Sequence, residues 1–121
     1  MIKNIKFIEQ KEKILLQRGK LIHEDQQGQH IIGHKNYKEE EGKSITTLSM
    51  AKMEELLQKY AGTGQIARDN GERVDFKEII GFYINKQKNK KYETTVGIIH
   101  YSKNGLHIVP ARPSWMGRWC E

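Results

Sequence analysis

Thr94-Thr95-Val96-Gly97-Ile98-Ile99-His100-Tyr101-Ser102-Lys103-Asn104-Gly105-Leu106-His107-Ile108-Val109-Pro110 reads as two antiparallel β-strands joined at a tight turn. Asn104-Gly105 is the turn signal, because both residues tolerate the positive φ that a short hairpin connection requires. Two registers are compatible with it. A two-residue turn sets Ser102 opposite His107 and His100 opposite Val109, which leaves both histidines diagonal on one face, roughly 7 Å apart or less. A three-residue loop closed by Gly105 as a bulge sets Tyr101 opposite His107 and sends His100 to the other face, because strand side chains alternate. Pro110 lacks the amide hydrogen that ladder pairing needs and ends the second strand.

Upstream, Val74, Phe76, Ile80, Phe82 and Ile84 fall on alternate positions, which predicts one long half-buried strand. Lys86 to Lys91 then reads as a basic connection into the hairpin. Before the strand, Met50, Met53, Leu56, Leu57 and Tyr60 form one stripe at helical spacing, predicting a helix over about 50–61. Ser49 suits its N-cap, Leu48 and Met53 are placed for a hydrophobic staple, and Gly62 suits the left-handed stop. Gln26 to Gly42, rich in glycine, glutamine and charge, is expected to be an ordered loop containing His30, His34 and Tyr37. The segment up to about Asp25 fits neither periodicity and is read as a short helix or ragged hairpin. This order of elements points to an α+β fold: an N-terminal helical or irregular segment, then a helix packed on a small antiparallel β-sheet.

The chain has 121 residues, the size of a single domain with one modest core. Hydrophobic residues make up 36% and charged residues 30%, too balanced for disorder but poor in core material. Twenty-one basic against 15 acidic residues give a formal charge of +6, which favours a polyanionic partner such as nucleic acid, an acidic membrane surface or an acidic protein. The single cysteine, Cys120, excludes an intrachain disulfide and suits a reducing compartment. No stretch is apolar for long enough to form a membrane helix, so membrane insertion is not expected. The charged start Met1-Ile2-Lys3-Asn4-Ile5-Lys6 is not a signal-peptide core.

Histidine suits both a general base and a general acid because its unperturbed pKa is near neutrality. His100 and His107 are therefore candidates for acid and base in cleaving RNA: one takes the 2′-hydroxyl proton, the other protonates the leaving 5′-oxygen. Tyr101, Ser102, Lys103 and Arg112, close in sequence, supply hydroxyls and cations for a phosphate. A histidine on a strand is more often packed or solvated than catalytic, so the pair weighs more than either alone. His30 and His34 are four residues apart, but Gly28 and Gly33 argue against the helix that would make them metal ligands, and no metal is expected. No Walker-type loop, nucleophile elbow or paired-cysteine motif is present, and no cofactor is expected.

Gln29-His30-Ile31, Tyr37, Lys43-Ser44, the helix end Lys59-Tyr60-Ala61-Gly62-Thr63-Gly64, Ile80-Gly81, Thr94-Thr95, His100-Tyr101-Ser102-Lys103 and His107-Ile108-Val109-Pro110 together resemble the polymorphic toxin type 50 domain. That family is found at the ends of bacterial toxins and of some phage minor head proteins. The resemblance implies a metal-independent ribonuclease of the barnase, EndoU, colicin and RelE-like fold group, whose exposed sheet face cuts RNA to a 2′,3′-cyclic phosphate. It also implies a site at His30, His100 and His107, with Lys43, Ser44, Thr95 and Ser102 on the phosphate. Which histidine is acid and which is base stays open at this point.

Residues 29–113 carry the resemblance, with 1–28 an N-terminal extension and 114–121 a tail within one domain. The chain is read as a free-standing member or a domain excised from a longer protein. Its expected partners are RNA and an acidic immunity protein, with action in a bacterial cytoplasm. The alternative is a non-catalytic, virion-associated domain that binds nucleic acid or phage head proteins.

Overall fold

The computed structural model describes residues 22–67, 71–102 and 105–116. The element order is α1 (Glu24–Gly28), β1 (Ile45–Thr46), α2 (Met50–Tyr60), β2 (Gln65–Ala67), β3 (Gly71–Asp75), β4 (Gly81–Asn85), β5 (Lys90–Thr94), β6 (Val96–Ser102) and β7 (Gly105–Pro110). Short 3-10 turns lie at Glu39–Glu41 and Ser114–Met116. The strands form two antiparallel sheets, one ordered β2-β3-β6-β7 and one ordered β1-β4-β5. The fold is α+β, as the sequence pattern implies, but with two sheets instead of one.

Helix α2 forms where its stripe predicts. The Ser49 hydroxyl accepts from the Lys52 amide at 3.1 Å, satisfying one of the amides that a helix start leaves without a partner. Met53, Leu56 and Leu57 are buried against Val74, Phe76, Ile80, Ile99, Tyr101, Leu106 and Ile108. Tyr60 meets Phe76 edge to face, with ring centroids 5.4 Å apart. Gly62, at φ 95°, turns the chain out of the helix in the left-handed region.

The long strand expected over Val74 to Ile84 is two strands in different sheets. Asp75 Oδ1 accepts from the Lys77 amide at 2.9 Å, and Lys77 takes φ 64°, so the chain turns after β3. Phe76 and Ile80 stay buried on either side of the break, which preserves the alternating pattern while the backbone changes sheet. Gly81 then lets β1 approach closely, since a Cβ there would collide with the Ile45 carbonyl.

The expected loop over Gln26 to Gly42 begins inside α1, and α1 closes the free edge of β7. Gln27, fully buried, donates from Nε2 to the Ile108 carbonyl at 2.7 Å and accepts from the Ile108 amide at 2.6 Å, acting as one residue of an extra strand. The His23 amide donates to the Leu106 carbonyl at 2.6 Å. An edge that would otherwise present unpaired backbone groups is thereby covered. The remainder of the N-terminal segment read as helix or hairpin, residues 1–21, lies outside the described residues.

Candidate active site

The hairpin ladder pairs Ile99 with Ile108, His100 with His107, Tyr101 with Leu106 and Ser102 with Gly105. Only Lys103 and Asn104, both outside the described residues, separate Ser102 from Gly105. The three-residue register is thus overturned: opposing Tyr101 to His107 would take apolar partners out of the core, and burial fixes which face each strand presents. Both histidines share one face, as the two-residue reading held, but its pairings of Ser102 with His107 and of His100 with Val109 are shifted by two residues, so the histidines stand directly opposite rather than diagonally. Their ring centroids are 5.0 Å apart with planes 17° from parallel.

A third imidazole joins them. His30 stacks on the other side of His107, with centroids 6.0 Å apart and planes within 16°. It is carried there by α1 on one side and β1 on the other. Its amide donates to the Gln27 carbonyl at 3.0 Å, while its own carbonyl accepts from the Thr46 amide at 2.7 Å. The row therefore runs His30, His107, His100, from the covered edge of β7 across to β6. Gly71 of β3 lies opposite His100 in the next ladder and presents no side chain there.

The three rings have different surroundings. His30 Nδ1 lies 2.8 Å from the Ser44 carbonyl, which only accepts, so Nδ1 carries the hydrogen and the lone pair of the neutral ring is on Nε2. Burial lowers the pKa of His30, opposed by that hydrogen bond and assisted by the charges of Lys43 and His100. His107, in the centre, is pushed down to about 3 by burial first and then by neighbouring His100, His30, His23 and Lys43. It is neutral throughout the physiological range. Its Nδ1 is buried with no hydrogen-bond partner among the described residues.

His30 and His107 open into a cleft of about 480 Å³ whose walls include Lys43, Ser44, Ile84 and Lys86. Lys43 Nζ donates to Gln29 Oε1 at 2.6 Å and lies 3.7 Å from Glu41 Oε1, an arrangement that fixes a cation at the rim. The Ser44 hydroxyl oxygen accepts from the Ile84 amide at 3.1 Å, tying the segment before β1 to β4. A second hollow of about 400 Å³ is lined by Tyr60, Arg73, Asp75 and Lys77, but no imidazole reaches it. Imidazoles line only the first of these two hollows. Among the described residues no group of three His, Cys, Asp or Glu side chains is placed to hold a metal ion.

His30, His100, His107, Lys43 and Ser44 are thus brought together, while other expected site residues are not. Tyr101 points into the core and donates to Glu72 Oε1 at 2.5 Å, with its pKa raised by burial and by that carboxylate. Ser102 shares the histidine face, but its hydroxyl donates to the Gly105 carbonyl at 2.9 Å. Thr95 precedes β6 at the end remote from His100; its carbonyl accepts from the Phe76 amide at 2.8 Å and its hydroxyl bonds to Asp75. Arg112 lies past the far end of β7, where its carbonyl accepts from Arg73 Nη2 at 2.7 Å. Lys103 lies outside the described residues. Gln29, beside His30 in the family motif, also lines the cleft, whereas Glu41 and Lys86 join it without any motif to mark them, because only tertiary packing gathers them.

Among the described residues no helix is long and apolar enough to cross a membrane. In comparison with known families, residues 22–110 match the model described as bacterial toxin 50. The match begins at Ile22, which bridges to Leu106, and ends at Pro110, the last residue of β7. No curated protein matches the chain.

Proposed function

The chain belongs to the bacterial toxin 50 family, and from that premise we propose that it is an endoribonuclease that cuts RNA by acid–base catalysis at its row of three imidazoles. The observation that carries this reading is the row of three near-parallel imidazoles beside a fixed lysine. Such a row supplies proton donor, proton acceptor and positive charge within one substrate's reach.

The roles divide by environment. His30, neutral and with its lone pair on Nε2, takes the proton of the ribose 2′-hydroxyl. The 2′-oxygen then forms a bond to phosphorus, and the bond from phosphorus to the 5′-oxygen breaks. His100, in the acid role, gives a proton to that departing oxygen. The products are a 2′,3′-cyclic phosphate and a 5′-hydroxyl end. His107 is too acidic to carry a proton at neutral pH and serves as a neutral spacer that orients its two neighbours. The Lys43 ammonium faces the negative charge that develops on phosphorus, and Ser44 holds His30 through its carbonyl. The net charge of +6 draws the polyanion in. It also suits an acidic immunity protein as the neutralising partner.

Incubation with total RNA in EDTA, followed by end mapping, tests the reading. Fragments ending in a 2′,3′-cyclic phosphate, lost in His30→Ala and His100→Ala, are the expected result. Intact RNA, or undiminished cutting by both variants, would overturn it.

A further inference from the structure

The small sheet carries a second set of features that the cleavage chemistry does not use. β4 and β5 pair Tyr83 with Tyr92, whose rings stack at 6.4 Å with planes 25° apart. Trp115, just after the hairpin, meets Tyr92 edge to face at 6.0 Å. Trp115 is 73% exposed, and both tyrosines are half-buried. Three aromatic rings thus form a row open to solvent, on the side of the sheet away from Phe82 and Ile84.

The charge around this row is one-sided. Lys86, Lys88, Lys90 and Lys91 are exposed in and beside the β4–β5 turn. Lys90 pairs with Asn85 and shares the tyrosine face, while Lys91 lies on the other face with its ammonium 5.9 Å from the Phe82 ring. Glu93 is the only carboxylate between Gly81 and Thr94, and it too lies on that other face, opposite Phe82. Lys86 lines the histidine cleft at the start of this same turn. Exposed lysines therefore follow the chain from the cleft, through the turn, to the face that carries the tyrosines.

We propose that Tyr83, Tyr92 and Trp115, flanked by the lysines of the β4–β5 turn, form a second binding site that stacks the unpaired bases of single-stranded RNA running out of the cleft. This rests on the ribonuclease reading and extends it to a strand several nucleotides long. Aromatic side chains accept any base because every base has a π-face, and a cationic track holds the phosphates between them. The site favours single strands over duplex, whose bases are already stacked on each other.

Binding of 2′-O-methyl oligoribonucleotides, measured by fluorescence anisotropy, tests the site without cleavage, since these strands lack the attacking hydroxyl. A base-bearing strand and an abasic strand of equal length separate stacking from charge. Trp115→Ala is expected to weaken binding of the base-bearing strand by about 5- to 100-fold and to leave the abasic strand unchanged. Trp115→Phe keeps a ring and retains most of the affinity. Lys88→Gln with Lys90→Gln weakens both strands and lowers the salt slope by about 0.7 for each phosphate contact removed. In a Trp119→Phe background, the remaining indole emission should quench on binding the base-bearing strand only.

Equal affinity of the wild-type protein for the abasic strand overturns the proposal, as does an unchanged affinity in Trp115→Ala. Displacement by polyglutamate as effective as by the oligonucleotide also overturns it, because the surface would then read acidic protein. Base-dependent binding with no cutting of RNA removes the cleavage reading and leaves this site standing. Cutting without base-dependent binding does the reverse.

Discussion

Ile99, Tyr101, Leu106 and Ile108 turn inward from the β6–β7 hairpin, whereas His100 and His107 turn outward, and the same two strands finish their faces differently. The inner face is buried and hydrogen-bonded. Even its charged neighbour, Glu72, is held by the Tyr101 hydroxyl and by the amides of Gly62 and Gly64 at 3.0 and 2.6 Å. The outer face leaves a buried ring nitrogen of His107 without a partner among the described residues and stacks two more imidazoles beside it. Buried polar groups are rarely left this way, and strain, a catalytic role or a bound water or ion are the usual reasons. One face holds the fold, and the other carries the imidazoles to which we assign the chemistry.

The sharpest way to break this division is to delete the outer rings. His100→Ala and His30→Ala should each lower RNA cleavage by about 10²- to 10⁴-fold, the usual contribution of a general acid or base. The thermal midpoint of His100→Ala should stay close to that of the parent. A large loss of folding in that variant would mean that the outer face is structural after all.

Ile99→Ala tests the inner face in the opposite sense. The side chain is fully buried beneath α2, so its truncation should cost about 2–5 kcal/mol in a urea melt. Tyr101→Phe is milder, at about 1–3 kcal/mol, because it removes one donor from a buried carboxylate. In both variants the cleavage rate per folded molecule should hold. A fall in that rate for Tyr101→Phe would restore the tyrosine to the site from which its burial removes it.

The two faces also differ in how they answer to pH. His107 titrates near 3 in the folded protein but near 6.5 when unfolded, and His30 shifts in the same direction. The unfolded chain therefore binds more protons between those values. Stability does not change from this source above about pH 6.5, and it falls as the pH drops below that. A loss on the order of 1 kcal/mol between pH 7 and pH 5 is expected in urea melts, less than the full linkage slope because the ring is partly solvated. His107→Leu should flatten this dependence, and a profile as steep as the parent's would show that His107 is not its source.

The sequence makes the inner face far more legible than the outer one. Ser49, the stripe from Met50 to Tyr60 and Gly62 each encode α2 locally, while the hairpin alternation groups the residues of each strand by face and leaves the register between the strands open. Periodicity does not say where a strand changes sheet. Val74 through Ile84 keep their alternation across the break at Lys77 and Gly81, because Phe76 and Ile80 remain buried on both sides of it. Nor does spacing bring His30 to His107. That contact depends on Gln27 pairing with β7 and Thr46 pairing with His30, between segments distant in the chain. The family motif groups residues that belong together in a sequence signature. Thr95 and Tyr101 show that membership of such a signature can serve the scaffold instead of the cleft.

Ser102 sits on the boundary between the two faces and gives the smallest of these effects. It shares the outward side with His100, yet its hydroxyl closes the hairpin end by donating to the Gly105 carbonyl. If that bond is its role, Ser102→Ala should cost about 0.5 kcal/mol, the low end for a hydrogen bond near solvent, and leave cleavage unchanged. A tenfold or larger fall in cleavage, with KM rising and the urea midpoint unmoved, would place the hydroxyl on substrate phosphate and extend the reactive face to the hairpin tip. The two outcomes are separable because a scaffold bond moves stability before activity, whereas a phosphate contact moves KM alone.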